Sequence, residues 1–324
     1  MARKQKKWIK SLMDLWFVKK TLEIMERIKP WGFQGLSLLF VSRFFAEAIM
    51  KGQLATRASA ISFRLFLAFF PAIIMLLTLI PYIPIENFQV SLFDSIRGFF
   101  PGDTFSLFEE TLDDLINQKH SGLLSIGFVL VLYYASNSIN AILIGFNASY
   151  HLDEKHHPFV MRVASIILIF VLGLLMTVAV VLILFSGTAF DYLHEIGIIG
   201  DRGYIPILNF AKWIVSVALM YSIISTLYNF GARRKIKHYR FLNTGATFAT
   251  ICFVLTSIGF AYFVSNFASY NKLYGSLGTL LVLLIWLNIN CVIILMGFEL
   301  NVSIRKAHRS IPKATPVIKN SIKE

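Results

Sequence analysis

The chain has 324 residues, 56% hydrophobic and 15% charged, with 31 Lys and Arg against 18 Asp and Glu for a formal net charge of +13. Soluble domains carry roughly 25% charged residues, so this composition argues against an ordinary soluble enzyme. Uncharged apolar runs of about 20 residues recur, each long enough to cross ~30 Å of hydrocarbon, and their unbroken apolarity selects helices over alternating barrel strands.

In chain order, residues 8–28 read as a basic amphipathic helix, with Leu12, Leu15, Val18, Leu22 and Met25 at helical spacing. Such a helix either lies in the headgroup layer, helped by anionic lipid, or packs on the ends of a bundle. No short apolar core with a cleavage site is visible in this stretch, so no cleavable signal peptide is expected. Pro30-Trp31-Gly32 breaks it. Residues 33–50 are apolar but interrupted by Gln34, Arg43 and Glu47; they are expected to form an interfacial or re-entrant helix.

Six spans follow, near 58–81, 122–147, 161–189, 205–230, 243–267 and 276–300. The expected fold is an all-α polytopic bundle of six transmembrane helices, with a basic N-terminal region over 1–57, a transmembrane domain over 58–301 and a basic tail over 302–324. The segment 82–121 holds two amphipathic stripes, Leu92, Phe93, Ile96, Phe99 and Phe100, then Phe105, Phe108, Leu112, Leu115 and Ile116, separated at Pro101-Gly102 with Asp103 as an N-cap. Two short helices are expected to roof the bundle there.

Charge then orients the bundle. Residues 1–57 carry 12 Lys/Arg against 4 Asp/Glu, and the tail 301–324 carries 6 against one. The loop 231–242 has five basic residues and no acid, whereas 82–121 has 7 acids against Arg97 and Lys119. All the basic segments fall on one side of a six-span chain, which places both termini in the cytoplasm. That arrangement accounts for the net charge without nucleic acid as a partner; anionic lipid headgroups at the cytoplasmic face are the expected contact.

Several intramembrane residues carry chemistry. Tyr133, Asn137, Asn140 and Asn147 share a face of the second span, flanked by Ser136, and Ser222, Ser225, Thr226 and Asn229 make a similar stripe in the fourth. These groups either line a polar pathway or serve as interhelical glue worth ~0.6 kcal/mol per contact. Arg64 stands in the first span, two turns in from Arg57, and Glu299 closes the last span, three turns beyond Asn288 on the same face. An Arg64–Glu299 pair is one reading; a snorkelling arginine and a boundary acid are the other. Pro71 frees the carbonyl of Leu67 and should kink its helix. Gly245, Ala249, Cys252, Thr256 and Gly259 form a small-residue stripe that lets backbones approach. The two cysteines, Cys252 and Cys291, lie in apolar runs and read as small packing residues. His151, His156 and His157, beside Asp153 and Glu154, match no metal-ligand spacing and read as solvated loop residues. There is no phosphate-binding G-x-x-x-x-G-K-[ST] loop, no H-E-x-x-H and no cofactor motif.

The stretch from Ala60 to Pro71 resembles the first-span motif of the YihY/BrkB family, and Asn243-Thr-Gly-Ala-Thr-Phe-Ala-Thr250 resembles its fifth. Tyr274-Gly-Ser-Leu-Gly278, with Gly275 and Gly278, then Trp286-Leu287 and Gly297-Phe-Glu-Leu-Asn301 complete the likeness over residues 35–302. Arg64 stands where the family pattern has an aromatic or aliphatic residue, and Asn243-Thr244 replaces its proline. The resemblance implies a bacterial inner-membrane protein. It also brings a "ribonuclease BN" label that looks misassigned, because a metal-dependent nuclease needs an aqueous cluster of His and Asp ligands. Three functions are weighed: a transporter or lipid translocator without its own ATPase, a structural or assembly protein, and a membrane-bound ribonuclease. For the first, the cargo is expected to be anionic or amphipathic. The cavity is expected to open toward the basic face, with Arg64 as its deepest positive charge.

Overall fold

The computed structural model describes residues 16–30, 32–83, 89–90, 93, 106–151, 157–195, 205–232, 242–266 and 268–310. Among them the regular structure is helical throughout: α1 (Trp16–Arg27), α2 (Leu38–Lys51), α3 (Leu54–Leu79), a 3-10 turn (Ile80–Tyr82), α4 (Ser106–Asn117), α5 (Ser121–Asn147), α6 (Pro158–Glu195), α7 (Ile205–Ala232), α8 (Thr244–Asn266) and α9 (Ala268–Ser310). Six of these, α3 and α5 to α9, are long and apolar enough to cross a membrane.

Each spanning helix packs on the next in chain order, α3 on α5, α5 on α6, α6 on α7, α7 on α8 and α8 on α9, and α9 returns to α3. The six therefore make a closed ring. Contacts across it join α5, α7 and α9.

Two boundaries differ from the sequence reading. The first spanning helix begins at Leu54, inside the region assigned to the N-terminal segment. The last one absorbs both the expected loop 268–275 and the start of the tail, running unbroken to Ser310. Its 43 residues measure about 65 Å, so it projects well beyond the hydrocarbon.

That projection has a partner. Ser37 caps α2, accepting from the Phe40 amide at 3.3 Å, and the 14 residues of α2, about 21 Å long, are too short to span. Phe33, Leu36 and Val41 bury themselves instead on Leu300, Ile304 and Ala307 of α9. The amphipathic α1 packs on α2. At the opposite end α4 lies against α3 and the 3-10 turn, with Ile116 fully buried. The first amphipathic stripe, apart from Phe93, and the Asp103 cap fall outside the described residues, as does most of the basic loop 231–242.

Candidate functional site

The spanning helices meet most tightly at the end where α5 finishes and α9 projects. Phe146 of α5 stacks on Phe298 of α9, with ring centroids 4.2 Å apart, and Tyr228 of α7 stands edge-on to both. The Tyr228 hydroxyl donates to the Ile294 carbonyl at 2.7 Å, so the ring is fixed at both ends. Beside this stack Glu299 is wholly buried. Arg57 donates from Nη2 to Glu299 Oε1 at 2.7 Å and from Nη1 to the Gly145 carbonyl at 2.7 Å; Ser149 Oγ donates to Glu299 Oε2 at 2.6 Å. One ion pair thus ties α3, α5 and α9 together.

The partner of Glu299 is Arg57, not the Arg64 weighed from sequence. The two arginines, seven residues apart, share a face of α3, but only Arg57 stands level with Gly145 and Ser149. Arg57 was visible in the sequence as a helix-terminal charge; the carbonyl and hydroxyl that complete its site come from residues 88 and 92 positions away and left no local signal.

A second clamp joins α7, α8 and α9. Asn243 caps α8, its Oδ1 accepting from the Ala246 amide at 2.7 Å and from Asn301 Nδ2 at 2.9 Å, while Asn301 Oδ1 accepts from the Gly245 amide at 2.7 Å. Asn243 Nδ2 reaches Ser225 Oγ at 3.1 Å. Gly245 and Gly297 face each other so closely that a Cβ on either would run into the other's carbonyl oxygen. The small-residue stripe packs most closely at this end, through Gly245 and Ala249, with Cys252 also against the core. Gly259 corrects the reading: a Cβ there meets nothing within 4 Å. Pro71 lies within α3, and Gly275 and Gly278 within α9, Gly278 being buried. His151 is also corrected, being buried with Nε2 2.9 Å from the Phe44 carbonyl rather than solvated.

The other end of the ring is different. Eighteen residues make five helical turns and return to the same face. Ala58, Phe146, Tyr228, Ala246 and Phe298 are each at most 2% exposed; the residues on the same faces eighteen positions toward the far end, Leu76, Phe128, Phe210, Val264 and Leu280, are 36–63% exposed. Five of the six spanning helices therefore bury their inward stripe at one end and uncover it at the other. Among the described residues the inward stripe is uncovered away from the packed end, whereas the sequence led to the expectation of a cavity opening toward the basic face.

The polar stripe of α5 faces elsewhere. At about 100° per residue, with Phe146 pointing inward, Ile126, Leu130, Tyr133, Asn137 and Ile144 lie within about 40° of straight outward. Tyr133 is correspondingly exposed. Tyr133 and Asn137 thus line the outer surface of the ring, not the interior expected of a pathway. Arg162 of α6 donates from Nη1 to Asn137 Oδ1 at 3.1 Å. Asn140 turns toward α6, its Oδ1 buried with no hydrogen-bond partner; Asn147 lies on the same side. Asn288 of α9 donates to Ser59 Oγ at 3.2 Å and Ser62 Oγ at 3.4 Å, fastening α9 to α3. Arg64 is exposed, and its carbonyl accepts from Ser138 Oγ at 2.9 Å.

Comparison with known proteins places these features in a family. Residues 45–318 match the family model described as virulence factor BrkB. A Bacillus subtilis protein described as ribonuclease-like, YfkH, is 30% identical over 278 residues, covering 86% of this chain and 98% of its own. A UPF0761 membrane protein of Idiomarina loihiensis is 25% identical, covering 70% of this chain and 76% of its own, and one of Haemophilus influenzae is 23% identical, covering 82% and 94%. No solved structure matches.

Proposed function

The chain belongs to the virulence factor BrkB family of bacterial membrane proteins, and from that premise we propose that it carries an amphipathic, lipid-like molecule across the inner membrane without an ATPase of its own. The observation that carries this reading is the one-ended opening of the ring. Every residue of the uncovered inward set, Leu76, Phe128, Phe210, Val264 and Leu280, is apolar. Such a surface suits an acyl or other apolar chain and gives a small hydrated ion nothing to bind. With both termini cytoplasmic, as the charge pattern argues, the opening faces outward and the aromatic stack with the Arg57–Glu299 pair is the closed inner gate.

Catalysis has no part in this reading. The ribonuclease-like description of the Bacillus relative is not carried over.

The test is transbilayer movement. The purified full-length protein is reconstituted into vesicles holding a fluorescent phosphatidylglycerol, and a membrane-impermeant quencher is added. Bleaching of inner-leaflet lipid that depends on the protein supports the proposal. Bleaching confined to the outer leaflet, with the protein correctly folded, contradicts it and leaves a structural role.

A further inference from the structure

The outer surface of α5 carries two intramembrane arginines at one level. Ser138 Oγ bonds the Arg64 carbonyl at 2.9 Å, which sets Arg64 beside residue 138 on the α3 side. Arg162 Nη1 bonds Asn137 Oδ1 at 3.1 Å, which sets its guanidinium beside residue 137 on the α6 side. Adjacent residues of α5 thus mark one depth for the Arg64 backbone and the Arg162 guanidinium. Arg64 lies ten residues into α3 from Leu54, and Asn137 ten residues into α5 from Asn147. That is about 15 Å from the packed end of helices about 40 Å long. Arg64 and Asn137 therefore lie inside the hydrocarbon by roughly 10 Å, and Arg162, whose backbone is only four residues into α6 from Pro158, reaches its guanidinium down to Asn137.

Their direction is outward. Asn137 points opposite to Phe146, and Arg64 lies about 60° from straight outward on α3, on the side of α5. Arg64 is exposed and Arg162 partly buried. Among the described residues neither guanidinium has a carboxylate within ion-pair distance. The ion pair of Glu299 is taken by Arg57. Two unneutralised guanidiniums facing lipid cost several kcal/mol each unless they snorkel or meet an anion, and phosphate matches their donor forks best.

We propose that Arg64, Arg162 and Asn137 form a binding site for the phosphate of an anionic lipid headgroup on the outer face of α5, drawn into the membrane from the leaflet at the packed end. The Asn137 carboxamide holds Arg162 in place without neutralising it, and Tyr133 flanks the site one turn deeper. These residues are not those that line the interior, so the site stands whether or not any cargo crosses the ring.

Native mass spectrometry of the delipidated full-length protein, titrated with phosphatidylglycerol or with phosphatidylcholine of the same chains, reads the site directly. The wild type should retain phosphatidylglycerol in preference. Arg64→Gln and Arg162→Gln should each weaken that retention by about tenfold, and the double variant should lose the preference. Asn137→Asp keeps both arginines but places a carboxylate between them; it should lose the preference too. Arg43→Gln, which removes an exposed charge on α2, should change nothing. Unaltered preference in the double variant or in Asn137→Asp overturns the proposal. So does an equal loss in Arg43→Gln, which would mean general surface charge. Displacement of the lipid by inorganic phosphate alone would identify a soluble oxyanion as the ligand and overturn the lipid assignment.

Discussion

Glu299 is the residue on which the packed end turns. A carboxylate with no exposure loses several kcal/mol of hydration, which only close, fully used partners restore. Both of its oxygens are used, one by Arg57 and one by Ser149. Removing one member strands the other. Glu299→Ala or Arg57→Ala should each cost about 3–5 kcal/mol, seen as a large drop in thermal unfolding midpoint in detergent. The double variant should cost less than the sum of the singles, because the second change strands nothing. A strictly additive pair would contradict the ion pair. The sequence placed Glu299 at the end of the last span and left its pairing with Arg64 open; the partner is Arg57. A charge's depth in its own helix is legible from spacing; its level against a neighbouring helix is not.

At the scale of the element, the α8–α9 contact sorts glycines that look alike in sequence. A Cβ on Gly245 would meet the Gly297 carbonyl oxygen first, which is backbone and cannot yield, with the Asn301 carboxamide next to it. Gly245→Ala should therefore separate α8 from α9, break the Asn301 bond to the Gly245 amide and cost more than 2 kcal/mol, as overpacking does at about 1–3 kcal/mol with a hydrogen bond lost besides. Gly259→Ala meets open space and should stabilise by roughly 0.5–1 kcal/mol through helix propensity. Thermal unfolding of the two variants side by side checks the contrast; equal destabilisation would contradict it. The stripe as a whole was readable at spacings of 4 and 3, because close packing demands small residues. Where along the stripe the helices diverge depends on the tilt of the ring, which no local pattern encodes. The same holds for α9: its apolar run marked the span, but its extension to Ser310 is packed by Phe33 and Leu36 ahead of α2 and by Val41 within it.

For the whole molecule, the six-helix count followed from apolar run length, and the orientation argument follows from where the basic residues fall. Reporter fusions after Lys119 and after Lys237 should report external and cytoplasmic positions; the reverse at either site would contradict the orientation. The one-ended opening was not legible, because its two ends are built from equally apolar residues. Phe146 and Phe128, like Tyr228 and Phe210, are alike in chemistry and differ only in what packs on them. Accessibility to water reads that difference. In a background with Cys252 and Cys291 replaced by alanine, single cysteines are introduced at Ala58, Ala246, Leu76, Val264 and Phe63 and exposed to a membrane-impermeant maleimide in intact vesicles. The inward positions at the open end, Leu76→Cys and Val264→Cys, should label from the side opposite the termini. Ala58→Cys and Ala246→Cys in the packed end should not, nor should Phe63→Cys, which faces lipid. Protection of Leu76→Cys and Val264→Cys, or labelling of Phe63→Cys to the same degree, would contradict an interior open at one end.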